Sequence, residues 1–137
     1  MHYTEATLTL AANVDELDRL FVFIGENLDK AGCPEDLKSR IELAAEEIFV
    51  NIANYAYKDS SGGSCEITMT TGNGEAAIAF RDKGIPFNPL EHEKPDTGIA
   101  LKEREEGGLG IFIAKQTMDV VEYSYEGMNH LLMKKKW

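Results

Sequence analysis

The chain has 137 residues, of which 43% are hydrophobic, and its formal net charge is −10. This length suits one domain with a sizeable core. The negative charge argues against nucleic acid as a partner, because phosphates are bound by clustered lysine and arginine. Apolar runs are too short to span a membrane, and the polar first residues predict no signal peptide. The two cysteines, Cys33 and Cys65, form no paired motif, so we expect a reduced, cytoplasmic protein.

The first half of the chain predicts one strand and two helices. Residues 7–10 alternate between polar and apolar side chains, as in a half-buried strand. Asn13 is a suitable cap for a helix over residues 14–30, in which apolar side chains recur at helical spacing. A break at residues 31–34 separates this helix from a longer one over residues 35–57.

The second half predicts two pairs of strands around an irregular stretch. Gly72-Asn73-Gly74 joins the first pair and is typical of a tight hairpin. No period is sustained from 82 to 106, and such a stretch inside a compact domain is usually functional or mobile. The predicted elements are strands 65–71, 76–81, 120–125 and 130–135, and a helix over 107–118. This order indicates a single α+β domain over residues 1–137, a two-layer sandwich with a mainly antiparallel sheet covered by helices on one face.

The second predicted helix carries a polar stripe. At about 100° per residue, Glu47, Asn51 and Asn54 share one face, and apolar residues flank them on both sides. Glu42 and Glu46 project elsewhere and are expected on the solvent side. The stripe predicts a cleft, in which Asn51 is a candidate magnesium ligand through its carbonyl oxygen and Glu47 a candidate base. The alternative is a set of polar residues that bond to one another within a helical layer.

Asp82 and Gly84 follow the third predicted strand. A buried carboxylate at a strand end can accept a hydrogen bond from an exocyclic amine, and a glycine lets the backbone approach a flat ring closely. An ordinary turn of the Asp-x-Gly kind is the structural alternative.

A glycine-rich segment, Gly107-Gly108-Leu109-Gly110, opens the predicted helix near the end of the chain. Backbone N–H groups at a helix N-terminus bind anions, and glycines let phosphate oxygens approach the backbone. A helix start without any ligand is the alternative, because short glycine patterns are weak signals.

Taken together, the three segments resemble the nucleotide-binding signature of the GHKL ATPase superfamily. They are, in order, Glu47-x-x-x-Asn51, Asp82-x-Gly84-x-Pro86 and Gly107-Gly108-Leu109-Gly110. Within the superfamily the chain most resembles bacterial anti-sigma-factor serine/threonine kinases, whose second motif typically has proline in place of the later glycine. The resemblance covers nearly the whole chain.

This resemblance implies the Bergerat ATP-binding fold, with ATP and Mg²⁺ as ligands. It implies that Asn51 binds magnesium, that Glu47 is the general base, and that Asp82 accepts from the adenine amine. An ATP lid would cover residues 88–106. Asn129 follows the last predicted turn, where relatives often place a polar residue near the adenine; a plain hairpin position is an equal alternative. The implied binding residues are Asn51, Asn54, Tyr55, Asp82, Gly84, Pro86, Arg104, Gly107, Gly108, Leu109 and Gly110.

The residues before the glycine pair depart from the family pattern. Many relatives have a basic residue there, whereas this chain has Glu105 and Glu106. Arg104 and Lys102 are near in sequence and would take that role if the lid folds back. Without them, two carboxylates beside a polyphosphate would weaken binding or slow transfer.

The resemblance implies an ATP-dependent protein serine/threonine kinase that also acts as an anti-sigma factor. Such a protein would sequester a sigma factor, phosphorylate an anti-sigma-factor antagonist protein and form a homodimer. The alternative, which the Glu105-Glu106 pair suggests, is a nucleotide-gated module that binds a partner without phosphotransfer. A third hypothesis is the ATPase part of a histidine kinase, which ranks last because the chain has no room for a helical hairpin with a phospho-acceptor histidine.

Overall fold

The computed structural model describes residues 3–57, 63–92 and 109–137. Its helices are α1 (Leu17–Lys30), α2 (Glu35–Asn51) and α3 (Leu109–Thr117), and its strands are β1 (Thr4–Ala11), β2 (Ser64–Gly72), β3 (Glu75–Asp82), β4 (Val120–Tyr125) and β5 (Asn129–Lys136). The five strands form one antiparallel sheet in the order β1-β2-β3-β5-β4, and the helices pack on one face of it. The predicted α+β sandwich is confirmed.

The β2–β3 hairpin forms where the sequence predicts it. Its two turn residues have positive φ, 54° at Asn73 and 73° at Gly74, as in the hairpin turns whose twist matches that of the strands. Asparagine and glycine tolerate this backbone conformation best. The tight turn sets the register, so that Cys65 faces Asp82 at the far end of the pair. Asp82 therefore lies at the end of the sheet opposite the hairpin.

Alternation along the strands and helical spacing in the helices produce one buried core between the two layers. α2 is the central helix and packs against both α1 and α3. The largest fully buried side chains include Leu20, Ile24 and Leu28 of α1, Ile41, Ile48 and Phe49 of α2, Ile111 of α3, and Ile67, Met69, Ile78 and Phe80 of the sheet.

The second helix differs from the prediction in its last turn. The α-helix ends at Asn51, and Ile52–Ala56 continues as a π-helix, a wider turn that often occurs at functional sites. The spacing of about 100° per residue therefore does not hold beyond Asn51. Asn54, predicted to share the face of Asn51, is exposed, whereas Asn51 is buried.

Glu42 and Glu46, expected on the solvent side of α2, are half-buried instead. Burial raises the pKa of both carboxyl groups, and the neighbouring charge of Glu47 raises the pKa of Glu46 further. Oε2 of Glu42 lies 3.0 Å from the point where a Cβ on Gly25 of α1 would be. The expectation was wrong for Glu42 because α1 packs over this part of α2.

Several predictions fall outside the described residues. They include most of the predicted lid, residues 93–106, within which are Lys102, Arg104, Glu105 and Glu106. They also include Gly107 and Gly108 of the glycine-rich segment. The start of the predicted lid is described, and Pro89–His92 forms a 3-10 turn there. No helix in the three described ranges is long and apolar enough to cross a membrane.

Candidate functional site

Glu47 and Asn51 form a hydrogen-bonded pair on α2. Nδ2 of Asn51 donates to Oε2 of Glu47 at 3.0 Å, and Asn51 is only 2% exposed. A carboxylate has only acceptor atoms, so the amide nitrogen of Asn51 must face Glu47 and the carbonyl oxygen must point away. Among the described residues, that oxygen has no hydrogen-bond partner. One hard oxygen donor is therefore available next to the carboxylate.

The Asn51 oxygen fits a magnesium ion only as a partial ligand. In the described part of the chain, no three histidine, cysteine or acidic side chains cluster as a metal site would require. Magnesium is typically held by one or two protein oxygens while water and substrate phosphates complete its shell. The chemistry of Asn51 thus suits an ion that arrives with a phosphorylated ligand.

The first turn of α3 packs directly on Glu47. A Cβ placed on Gly110 would lie 2.3 Å from Cβ and 3.0 Å from Oε1 of Glu47. Only a glycine allows this approach, so the third motif has a packing role that its sequence did not indicate. The contact also places the Glu47 carboxylate beside a helix N-terminus, whose partial positive charge favours anions. Leu109 begins this helix, and its side chain lies outside the described part.

Gly110→Ala is expected to lower the free energy of unfolding by about 1–3 kcal/mol, as overpacking in a core does, because the added methyl must displace α3 from Glu47. Gly25→Ala is the matched control, since that helical glycine faces only the movable end of the Glu42 side chain. There the higher helix propensity of alanine should leave stability unchanged or improved. Urea denaturation measures both. Equal stability of Gly110→Ala and the wild type would contradict the close contact.

Asp82 is a buried carboxylate with one oxygen engaged. It is 3% exposed, and its Oδ1 accepts hydrogen bonds from the Gly84 N–H and from Nδ2 of Asn129, both at 2.9 Å. Burial raises the pKa of Asp82, and these two hydrogen bonds oppose the rise. Within the described residues, Oδ2 makes no hydrogen bond. This oxygen is therefore available to a donor on a ligand.

Residues 83–87, named here the 83–87 loop, are fixed to the end of the second helix. The Lys83 N–H donates to the Tyr57 hydroxyl at 2.8 Å, and the Ile85 N–H donates to the Ala56 carbonyl at 3.0 Å. A Cβ on Gly84 would lie 2.5 Å from the same Ala56 oxygen. Glycine at position 84 is thus required by packing on the helix end, whether or not a ring lies nearby.

The remaining donor of the 83–87 loop is also satisfied. The Phe87 N–H donates to Oδ1 of Asn129 at 3.0 Å, and Pro86 has no N–H. The Phe87 ring stacks on Tyr55 of the π-turn, with centroids 5.2 Å apart and planes at 27°. Since every N–H of the loop is bonded, the loop is held in one shape before any ligand binds.

The structure brings together most of the described residues that the sequence selected. Their contacts form two clusters along the second helical segment: Glu47, Asn51 and Gly110 make one, and Asp82, Gly84 and Tyr55 belong to the other, through the 83–87 loop. Pro86 lies on the exposed side of the loop, and Asn54 is exposed. Sequence reasoning missed Ala56, Tyr57 and Tyr123, which act through a backbone carbonyl or a hydroxyl. No local pattern marks such contacts.

Comparison with known proteins adds relatives of named activity. A profile of the histidine kinase-like ATPase domain family matches residues 10–135. The chain is 24% identical over 98 residues to the serine/threonine-protein kinase BtrW of Bordetella bronchiseptica, which covers 71% of this chain and 69% of that one. It is 30% identical over 106 residues to the serine-protein kinase RsbW of Oceanobacillus iheyensis, with coverage of 74% and 64%.

A solved structure shares the fold. The structure of the RsbU and RsbW domains of a Mycobacterium tuberculosis protein superposes with a TM-score of 0.67 at 15% sequence identity. The match covers 97% of this chain but 32% of that longer chain. Likewise, the chain spans about two thirds of the length of the two kinases, 69% and 64%.

Proposed function

Because the chain belongs to the histidine kinase-like ATPase domain family, we propose that it binds ATP with Mg²⁺ and phosphorylates a protein on serine or threonine. The observation that carries this proposal is the pair of half-satisfied groups at the two ends of one site. Oδ2 of Asp82 is left for a donor, and the Asn51 oxygen is left for a cation beside the Glu47 carboxylate. The named activities of the relatives support the same conclusion.

The second helix sets the distance between these two ends. Gly110 packs on Glu47, and Gly84 packs on Ala56, nine residues further along the same helical segment. At 1.5 Å per residue an α-helix would span roughly 13 Å here, and the wider π-turn over Ile52–Ala56 makes the separation shorter than that, still on the scale of a nucleoside triphosphate. We propose that the adenine base of ATP lies at Asp82, and that its phosphates lie at Glu47, Asn51 and the N-terminus of α3.

The transfer step follows from these positions. The hydroxyl oxygen of the acceptor serine or threonine bonds to the γ-phosphorus, the bond from that phosphorus to the β,γ-bridging oxygen breaks, and ADP leaves. Glu47 accepts the hydroxyl proton. Magnesium, when bound together with ATP, would supply positive charge against the phosphate oxygens. Asn51 would offer one oxygen to that ion, and its amide nitrogen holds the Glu47 carboxylate in place.

We assign the partners from the family resemblance: a sigma factor that the protein sequesters, and an anti-sigma-factor antagonist that it phosphorylates. The setting is the bacterial cytoplasm, and residues 1–137 act as a single ATPase domain with a lid over residues 88–106. A homodimer is proposed on the same basis, and sedimentation velocity at micromolar concentration distinguishes it from a monomer.

The test is incubation of the purified protein with γ-labelled ATP, Mg²⁺ and a candidate antagonist that co-purifies with it from its native host. We expect label on the antagonist that is stable to acid, as phosphoserine and phosphothreonine are. Acid-labile label on the protein itself would indicate a histidine kinase instead. ATP-dependent binding of the partner without any label would favour the nucleotide-gated module. A wild-type chain that does not bind ATP in titration calorimetry would overturn the proposal.

A further inference from the structure

We propose that Asn129 is a positioning residue that orients Asp82 and holds the 83–87 loop, and that it thereby sets the preference for a 6-amino purine over a 6-oxo purine. The preference rests on the proposed function, because it requires ATP to be the ligand. The positioning does not, since it concerns contacts within the protein alone. Asn129 acts through these neighbours and needs no contact with the nucleotide.

Asn129 is the first residue of β5 and faces Asp82 across the sheet. It is 4% exposed. Its Nδ2 donates to Oδ1 of Asp82 at 2.9 Å and to the Ile85 carbonyl at 2.8 Å. One amide nitrogen therefore ties the strand end to the middle of the 83–87 loop.

The carbonyl oxygen of Asn129 is used as fully as the nitrogen. Oδ1 accepts from the Phe87 N–H at 3.0 Å and from the Tyr123 hydroxyl of β4. Two donor and two acceptor positions are thus all filled, which is the full capacity of an asparagine side chain. No other side chain of this size offers both two donors and a carbonyl acceptor, so the position is specific to asparagine.

This network decides which oxygen of Asp82 remains available. Asn129 and the Gly84 N–H together occupy Oδ1, so Oδ2 is left as an acceptor. An acceptor fixed at that point favours an exocyclic amine and disfavours a carbonyl oxygen, because two acceptors facing each other leave both unpaired. Without Asn129 only the Gly84 N–H holds Oδ1, so the carboxylate is less restricted about its χ2 angle, which is broad for aspartate.

The experiment compares Asn129→Ala, Asn129→Asp and Tyr123→Phe with the wild type by titration calorimetry with ATP and with GTP. Tyr123→Phe is the matched control, because it removes one hydrogen bond to Oδ1 and leaves both Nδ2 donors. We expect Asn129→Ala to weaken ATP binding by about 10- to 100-fold, the effect of losing an aligned bond to a charged group, and to weaken GTP binding much less. Tyr123→Phe should keep the ratio of the two dissociation constants within about two-fold.

Aspartate has the same shape as asparagine, so Asn129→Asp tests the proposal even if Asn129→Ala does not fold. At neutral pH it places a second carboxylate against Asp82, with the Tyr123 hydroxyl as the other titratable neighbour in the network. Two carboxylates in contact share a proton when the pH falls. We therefore expect its ATP affinity to recover on acidification from pH 8 to pH 6, which a merely structural defect would not produce.

A second readout needs no nucleotide. Amide hydrogen exchange of Phe87 in the ligand-free protein should accelerate at least about ten-fold in Asn129→Ala and much less in Tyr123→Phe. Unchanged exchange at Phe87 would overturn the positioning. Equal losses of ATP and GTP affinity in Asn129→Ala would overturn the role in selection. If the wild type binds neither nucleotide, the proposed function fails and the selection role with it, while the exchange result still decides the positioning.

Discussion

Glu47→Gln is expected to reduce phosphotransfer to the protein acceptor by about 10²- to 10⁴-fold, the usual contribution of a general base, while ATP affinity changes by less than about three-fold. Glutamine has the same shape, and its carbonyl oxygen can still accept the hydrogen bond from Nδ2 of Asn51. It cannot accept the proton of the attacking hydroxyl. Single-turnover labelling of the antagonist measures the rate, and calorimetry measures the affinity.

Glu46→Gln is the matched control for this prediction. Glu46 is the adjacent glutamate, is half-buried as Glu47 is, and has a pKa raised by burial and then by the Glu47 charge. Four residues after Glu47 the helix has Asn51, whereas four residues after Glu46 it has Val50. Glu46 therefore lacks the asparagine partner that Glu47 has. We expect Glu46→Gln to change the rate by no more than a few-fold. A Glu47→Gln rate equal to the wild-type rate would remove Glu47 from the role of base.

Asp82→Asn is expected to weaken ATP binding by about 10- to 100-fold, since a hydrogen bond to a charged group is worth about 1.5–3 kcal/mol and each 1.4 kcal/mol is about ten-fold. The asparagine keeps a carbonyl oxygen for the donors on Gly84 and Asn129. Its amide nitrogen then replaces Oδ2 and points a donor at the adenine amine. Calorimetric titration with ATP measures the loss, and an unchanged affinity would show that Asp82 does not bind the adenine.

The same variant should be at least as stable as the wild type at neutral pH. Burial raises the folded-state pKa of Asp82 above its ordinary value of 3.8. A raised pKa means that the contribution of Asp82 to stability is fully present below the unfolded value and is lost as the pH rises through the folded value. The stability advantage of Asp82→Asn should therefore be small near pH 3.8 and grow as the pH increases. Thermal unfolding without nucleotide, from pH 4 to pH 8, measures it.

Asp119→Asn provides a control of opposite sign. The Lys136 N–H and the Lys135 ammonium lower the pKa of this exposed carboxyl group. Its stabilising contribution is therefore present above the unfolded pKa and is lost as the pH falls through the folded pKa. Asp119→Asn should destabilise the protein at neutral pH, with the difference vanishing in acid. If Asp82→Asn showed the same pH dependence as Asp119→Asn, burial would not be the dominant effect on Asp82.

The order of strands and helices and the pairing of Glu47 with Asn51 were predictable from the sequence, because both depend on short-range geometry. In the described ranges, alternation and helical spacing located the five strands and three helices, although the second α-helix ends at Asn51 and continues as a π-turn instead of reaching residue 57. Asn73 and Gly74 specified the β2–β3 turn, since few residues adopt positive φ. Four-residue spacing placed Glu47 and Asn51 on one helical face, where they are hydrogen-bonded.

The way in which Asp82 and the 83–87 loop are held, and the requirement for glycine at positions 84 and 110, depend instead on contacts between residues far apart in sequence. Lys83 is hydrogen-bonded to Tyr57, 26 residues away in the sequence. Asn129 is hydrogen-bonded to Phe87 and Asp82, which are 42 and 47 residues away. Gly84 and Gly110 pack on α2 and its π-turn through contacts that a missing Cβ makes possible. The period of apolar residues predicts which side of a helix or strand is buried. It does not predict which atoms of a distant element that side contacts. The π-turn after Asn51 likewise departs from α-helical spacing and exposes Asn54. The hydrogen bonds that leave Oδ2 of Asp82 available are therefore a property of the packed sheet and helices, not of any local motif.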